Sequence, residues 1–157
     1  MKACKIALFG HRELYKHNVV EERLYSILRD LMQSVVYMQI YIGRNGEFDC
    51  FAASVVKRAQ NMFGNENSEL ILVLPYSVKD IQYYEKYYDA VIIPKSVEKI
   101  HPKGAITQRN RWMIEECDLF ICYVDKNSGG AYTALEYAKK MEKKIINLAL
   151  EENEGQA

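Results

Sequence analysis

The sequence lacks an excess of charge of either sign, since its 157 residues include 21 basic and 21 acidic side chains. That balance argues against a broad electrostatic surface for nucleic acids or membranes, although it allows a local basic pocket. The chain also lacks any apolar run near the roughly 20 residues that a membrane helix needs. The apolar part of residues 1–9 is too short for a secretory signal and is typical of a strand. We therefore expect a cytoplasmic protein that has neither a membrane nor a nucleic acid as its partner.

Cysteine and histidine are both scarce, with four and three residues respectively. The cysteines lack C-x-x-C spacing and are typical of buried free thiols in a reducing compartment. They are Cys4, Cys50, Cys117 and Cys122. Because the histidines show no ligand spacing either, we expect no metal site and no cofactor.

Apolar runs alternate with helical patterns along the whole chain, without internal repeats or low-complexity segments. The apolar runs predict strands at 3–9, 35–42, 69–74, 90–93, 119–124 and 144–149. The helical spacing predicts helices at 19–34, 47–63, 78–87, 106–117 and 131–141. Asn18 is predicted to cap the first helix, and residues 95–104 are predicted to form a loop. We expect one domain over residues 1–150, followed by a flexible acidic tail at 151–157.

This alternation predicts an α/β fold, namely a Rossmann-like doubly wound parallel sheet of about six strands with helices on both faces. Strands one to four wind towards one edge, and the chain then returns to place strand five beside strand one. The predicted strand order is 4-3-2-1-5-6. Ligands of such sheets bind beyond the carboxyl ends of the strands, at the point where the winding direction reverses. Three glycine-bearing turns, at residues 10–12, 43–46 and 125–130, are predicted to meet there.

The most informative turn lies in the segment 127–136, which reads NSGGAYTALE and connects a predicted strand to a predicted helix. The first N–H groups of such a helix are unpaired and carry partial positive charge. Gly129 and Gly130 allow a phosphate to approach them, and Thr133 lies in the same helical turn. Glu136 is the first candidate for chemistry on the ligand. The alternative is that Glu136 forms a surface ion pair with Lys140.

The turn after the first strand combines Gly10, His11 and Arg12. Arg12 is suited to charge-assisted hydrogen bonds with a phosphate or a carboxylate. His11 is suited to act as an acid, a base or a hydrogen-bond donor. The alternative is an ordinary loop with an exposed arginine and a capping histidine.

The second turn is bounded by Gly43 and Gly46 and opens a helix that begins with Glu47 and Asp49. These carboxylates would repel a phosphate, and acidic residues at a helix start also complement the helix dipole. A ligand hydroxyl, such as a ribose 2′- or 3′-OH, would suit Asp49 better than a phosphate. The alternative role for Asp49 is simple helix capping.

The helix that precedes the fifth strand carries Arg109, Met113 and Glu116 on one face, by their i, i+4 and i+7 spacing. This spacing predicts that Arg109 points into the cleft. The alternative is that Arg109 lies on a solvated face of the helix.

These elements together resemble the SMF/DprA–LOG (SLOG) superfamily of Rossmann-like nucleotide-binding proteins, and within it the small stand-alone YpsA-like branch. The matching motifs are G-H-R at 10–12, the glycine pair with an aspartate at 43–49, R-N-x-x-M at 109–113 and D-x-x-I at 118–121. The similarity spans about residues 5–148. It implies a nucleotide-derived ligand at the rim and adds Asn110 to the expected ligand-binding residues.

The chain is similar, more distantly, to the "lonely guy" phosphoribohydrolases, which split a nucleoside 5′-monophosphate into base and ribose 5-phosphate. Their R-K-x-x-M and P-G-G-x-G-T-x-x-E motifs are matched in part by residues 109–113 and 128–136. This resemblance implies catalytic roles for Arg109 and Glu136. The chain departs from the pattern at Asn110, Ser128 and Tyr132, where the family has lysine, proline and glycine.

Our leading hypothesis is a module that binds or senses a nucleotide-type ligand. The residues expected to contact this ligand are Gly10, His11, Arg12, Gly43, Gly46, Asp49, Asn110, Gly129, Gly130 and Thr133. The alternative is an N-glycosidase in which Arg109 orients the substrate and Glu136 stabilises the positive charge on the ribose or deprotonates water. Analogy with the enzyme relatives predicts a homodimer.

Overall fold

The computed structural model of the chain describes residues 3–34, 37–64 and 66–150, which alternate between strand and helix. The strands are β1 (Ala3–Gly10), β2 (Tyr37–Ile42), β3 (Ser68–Val73), β4 (Ala90–Ile92), β5 (Leu119–Tyr123) and β6 (Lys144–Asn147). The helices are α1 (His17–Ser34), α2 (Glu47–Ala59), α3 (Ile81–Tyr87), α4 (Pro102–Glu116) and α5 (Gly130–Lys140). A π-helical turn at Gln60–Gly64 extends α2, and a short 3₁₀ turn occupies Lys95–Val97.

The six strands form one parallel sheet in the order β4-β3-β2-β1-β5-β6, which confirms the predicted topology. β1 lies between β2 and β5, so that Ala7 is in register with both Tyr41 and Phe120. The winding direction therefore reverses at β1 and β5. The loops that follow these two strands diverge at the carboxyl edge and leave a crevice between them.

The sheet separates two hydrophobic clusters, one on each face. Alternate residues of β1 contribute to opposite clusters because successive side chains of a strand point to opposite faces. Ile6 and Leu8 pack with residues of α1 and α2, whereas Ala7 and Phe9 pack with residues of α4 and α5. Burial on both faces explains why the strands are nearly continuous apolar runs in the sequence.

Two local predictions are wrong. Asn18 does not cap α1, because the N–H groups of Val19 and Val20 already donate to the carbonyl of Lys16 and the helix begins at His17. The predicted loop at 95–104 contains a 3₁₀ turn and the start of α4 at Pro102. The ring of His101 caps α4 by accepting the N–H of Lys103 at 3.2 Å. Residues 35–36, predicted as strand, and the predicted tail at 151–157 lie outside the described residues.

The thiols are only partly as predicted. Cys117 and Cys122 are buried and Cys4 is half-buried, but Cys50 is exposed, and all four are free. Within the described ranges, no helix is both long enough and apolar enough to cross a membrane. The same residues contain no group of three or more histidine, cysteine or acidic side chains that could hold a metal ion.

Candidate ligand-binding site at the switch point

A cavity of about 420 Å³ opens at the crevice between the loops that follow β1, β2 and β5. The predicted site residues that line it are Gly10, His11, Arg12, Gly43, Gly46, Asp49, Arg109, Asn110, Gly129 and Gly130. The two other predicted site residues, Thr133 and Glu136, do not line it. The three glycine-bearing turns and α4 therefore meet at one cavity.

The turn between β5 and α5 presents unpaired backbone N–H groups. Gly129 has a φ of +94°, a left-handed conformation that favours glycine, and it provides no side-chain cap. The N–H of Thr133 donates to the carbonyl of Gly129 at 3.0 Å, which leaves the amides of residues 130–132 without a helical acceptor. A Cβ on Gly129 or Gly130 would meet no atom within 4 Å, so the approach to these amides is open.

Arg109 lies on α4 and is only 8% exposed. Nη1 donates to the carbonyl of Val73 and Nε donates to Oδ1 of Asn110, both at 2.8 Å. Nη2 has no hydrogen-bond partner in the described part of the chain. Burial lowers the pKa of Arg109, and the nearby Asp49 opposes that effect. Because a guanidinium stays protonated in proteins, Arg109 adds a fixed positive charge to the cavity.

Asp49 lies in the first turn of α2 and is preceded by the turn that contains Asn45 and Gly46. Burial raises the pKa of Asp49 from 3.8 to about 6, and the positive charge of Arg109 and the backbone N–H groups of Gly46 and Asn45 oppose this rise. Asp49 and Arg109, both described, do not form a direct ion pair. They face each other across Gly43, whose Cβ, if present, would lie 3.1 Å from Asp49 Oδ2 and 3.2 Å from Arg109 Nη1.

His11 follows β1 and is 8% exposed. Its Nε2 accepts the N–H of Asp125 at 3.2 Å and lies 3.3 Å from Oδ1 of the same residue. Burial lowers the pKa of His11, an effect that Asp125 opposes and Lys126 reinforces. A neutral ring that accepts at Nε2 carries its proton on Nδ1, which is then the only hydrogen-bond donor of the side chain.

The loops after β1 and β2 are held together by reciprocal hydrogen bonds. The N–H of Glu47 donates to the carbonyl of Arg12 at 2.8 Å, and Glu47 Oε2 accepts the N–H of Leu14 at 3.2 Å. A Cβ on Gly46 would lie 3.0 Å from the Cα of Arg12. The close approach of the two loops thus depends on glycine at position 46, and the carboxylate of Glu47 is used to bind the neighbouring loop.

Thr133 and Glu136 lie on the exposed side of α5. The hydroxyl of Thr133 donates to the carbonyl of Gly129 at 3.1 Å. Glu136 Oε1 lies 3.4 Å from Nζ of Lys139, so its surface partner is this residue and not Lys140. The structure therefore does not bring Glu136 together with Arg109.

Several residues that line the cavity were not predicted as site residues from the sequence, namely Glu13, Asn45, Ile106, Lys126 and Ser128. Lys126 is the most relevant to an anion because it adds a cation close to the start of α5. Lys126 could have been predicted from the sequence, because it lies inside the turn 125–130, and that turn was predicted to reach the rim of the sheet. Tyr132, which replaces a family glycine, packs against the hydrophobic cluster on its face of the sheet and does not line the cavity.

No protein-family model matches the chain, and no curated protein sequence matches it. Among solved structures, it resembles the DNA processing protein A (DprA) of Helicobacter pylori, known for its single-stranded DNA binding mode, with a TM-score of 0.62 at 17% identity. This match covers 90% of the chain and 63% of DprA, so the chain spans less than two thirds of that protein. It also resembles the molybdenum cofactor carrier protein of Chlamydomonas reinhardtii, with a TM-score of 0.55 at 12% identity over 98% of the chain and 81% of the carrier.

At these identities the likeness shows the fold alone, which is a Rossmann-like α/β fold with a six-stranded parallel sheet. The similar structures belong to proteins with different ligands, and a shared fold does not transfer a ligand. The homodimer and the cytoplasmic location stay predictions for the same reason.

Proposed function

We propose that the protein binds a nucleotide or a nucleotide-derived ligand in the switch-point cavity and acts as a sensor or binding module. The main support for this proposal is that two independent features that attract anions line the same cavity. One is the open, uncapped start of α5 at Gly129 and Gly130, and the other is the buried guanidinium of Arg109 with its unpartnered Nη2. Unpaired helix amides and a fixed cation both favour a phosphate.

The remainder of the cavity supports an organic ligand over a simple inorganic anion. A volume of about 420 Å³ is within the range of small-molecule sites, roughly 300 to 1,000 Å³. Apolar side chains contribute to its lining through Phe9, Ile106 and Met113. In this arrangement the phosphate lies against the amides of residues 130–132, and the base or sugar lies along the apolar wall.

The first test is a binding panel of AMP, GMP, CMP, UMP, IMP, their deoxy forms, and several cyclic and NAD-derived nucleotides. Calorimetry would measure affinity and thermal shift would measure stabilisation. We expect at least one nucleotide to bind and to raise the Tm, with inorganic phosphate binding more weakly. A panel without any binding would contradict the proposal.

The second test places a charge at the proposed phosphate position through Gly130→Glu, with Gly130→Gln as its neutral control of equal size. Gly130 has open space around it, and a carboxylate in the first turn of a helix complements the helix dipole. Both variants should therefore fold. We expect Gly130→Glu to weaken nucleotide binding about tenfold or more relative to Gly130→Gln. Equal affinities of the two variants would mean that the phosphate does not lie at α5.

An N-glycosidase that releases the base from a nucleoside 5′-monophosphate is the alternative function. The position of Arg109 in the cavity favours it, because that residue would orient the substrate there. The position of Glu136 outside the cavity favours the binding module instead. Chromatography of monophosphate incubations would detect free base. Base release that is lost in Glu136→Gln would establish the enzyme, whereas a stabilising nucleotide without base release would support the module.

A further inference from the structure

We propose that the floor of the cavity is a hydroxyl site that selects a ribose over a deoxyribose in the bound nucleotide. Asp49 serves as the acceptor and Nη1 of Arg109 as the donor for one sugar hydroxyl, which leaves Nη2 of Arg109 for the phosphate of the same nucleotide. This inference rests on the proposed function, because it concerns the sugar of the same ligand. It adds specificity-determining roles for two residues that come from α2 and α4.

The geometry of the floor consists of an acceptor and a donor that face each other without touching. A Cβ on Gly43 would lie 3.1 Å from Asp49 Oδ2 and 3.2 Å from Arg109 Nη1, so the absence of a side chain at position 43 leaves both groups accessible from the cavity that all three residues line. The guanidinium of Arg109 is held in place, since Nη1 donates to the carbonyl of Val73 and Nε donates to Oδ1 of Asn110.

A hydroxyl is the simple group that satisfies both sides of this space, since it donates one hydrogen and accepts through its lone pairs. A phosphate oxygen would accept from Arg109 but would be repelled by Asp49. An ammonium group would donate to Asp49 but would be repelled by Arg109. Because the guanidinium of Arg109 is already fixed, a ligand hydroxyl need not order it on binding.

A deoxy ligand leaves this space without its hydroxyl. The carboxylate and the guanidinium then lose their shared partner in a partly buried setting, which costs more than the loss of a solvated hydrogen bond. Sites built to bind a hydroxyl reject analogues that lack it for this reason. We expect the corresponding deoxynucleotide to bind about tenfold or more weakly.

The experiment compares three forms of the best nucleotide from the panel: the ribonucleotide, its 2′-deoxy form and its 3′-deoxy form. Calorimetry at neutral pH would give each Kd. A loss of about tenfold or more for one deoxy form supports the inference and identifies the hydroxyl. Equal Kd values for all three forms overturn the inference and leave the proposed function standing. A failure of all three to bind contradicts the proposed function itself.

A steric variant tests the floor directly. Gly43→Ala would put a methyl group into the space between Asp49 and Arg109, so we expect the ratio of deoxy to ribo Kd to fall towards 1. Gly104→Ala is the matched control, because its Cβ would lie 3.1 Å from Ile100 Cγ2, outside the cavity. This control should keep the original ratio. A folded Gly43→Ala protein that keeps the tenfold preference would overturn the inference.

Asp49→Ala provides the same test if Gly43→Ala does not fold. It removes the acceptor without adding atoms to the cavity. We again expect the Kd ratio to fall towards 1, and an unchanged ratio would mean that the hydroxyl binds elsewhere.

Discussion

His11 accepts the backbone N–H of Asp125 at 3.2 Å and so joins the loop after β1 to the loop after β5. These two loops diverge at the switch point, and this hydrogen bond crosses the crevice between them. The same ring lines the cavity. The protonation state of His11 is therefore linked both to the stability of the fold and to the shape of the site.

The link predicts a pH dependence of stability. Burial lowers the pKa of His11 below its ordinary value of 6.5, so the unfolded chain takes up a proton more readily than the folded chain. The free energy of unfolding should therefore fall as pH is lowered through about 6.5. His11→Gln removes this titrating group and should reduce the fall between about pH 7.5 and pH 5.5 in urea unfolding. The control is His17→Gln, which replaces an exposed histidine and should keep the pH profile of the unaltered protein. Equal pH profiles for His11→Gln and the unaltered protein would contradict the prediction.

Asp49 should show the opposite pH dependence. Its pKa is raised by burial from 3.8 to about 6, so the folded chain holds a proton that the unfolded chain releases. The free energy of unfolding should fall as pH rises from about 4 to about 6, and the loss persists at neutral pH. Asp49→Asn removes the charge and should raise the free energy of unfolding at pH 7.5, by no more than roughly 3 kcal/mol.

Denaturant unfolding at several pH values would measure this effect of Asp49→Asn. Asp30→Asn is the matched control, because Asp30 is exposed on α1 and its surface ion pair with Arg29 contributes little. A lower free energy of unfolding for Asp49→Asn at neutral pH would contradict the prediction, because it would mean that the favourable interactions of the carboxylate outweigh the cost of burying its charge.

The glycine at the end of β1 is required by packing. A Cβ on Gly10 would lie 2.1 Å from Phe48 Cγ, within a fully buried part of the core. Gly10→Ala should therefore lower the free energy of unfolding by about 1–3 kcal/mol or more, as overpacked cores do. Gly130→Ala, which meets no neighbouring atom, should leave the stability nearly unchanged or raise it. Thermal unfolding of the two variants would compare them, and a Gly10→Ala protein as stable as the unaltered one would contradict the packing argument.

The likeness to DprA makes DNA binding worth a direct test. The chain has no net charge and so offers little of the salt-dependent attraction on which binding to a phosphate backbone depends. We expect no submicromolar binding of a single-stranded oligonucleotide in fluorescence anisotropy at low salt. Submicromolar binding that weakens as salt is added would contradict this expectation and favour a nucleic acid as the partner.

The strand order could be predicted because it depends on a pattern that is local and repeated. Each buried strand appears as an apolar run, each crossover is right-handed, and these rules leave few arrangements. The boundaries were less accurate where the ends of elements depend on distant contacts. The start of α4 was placed too late because Gly104 and its polar neighbours resemble a loop, although Pro102 and the capping ring of His101 allow a helix.

The candidate site was predicted in part. The glycine turns at residues 10–12, 43–46 and 125–130 meet at the rim, as the topology requires. The position of Glu136 could not be obtained in this way. Whether a residue in the second turn of a helix faces a crevice or the solvent depends on how that helix is rotated against the sheet. On α5 that rotation is set by the packing of Ala131, Ala134, Leu135 and Ala138.

The sequence by itself determined the parallel sheet, its order and the edge at which a ligand would bind, because apolar periodicity and glycine positions act over short stretches of chain. Only the tertiary structure decided which side chains share the cavity. Asp49 and Arg109 come from helices far apart in the chain, and their separation across Gly43 depends on how both helices dock on the sheet. Such distances follow from the packing of whole elements, and no local pattern encodes them.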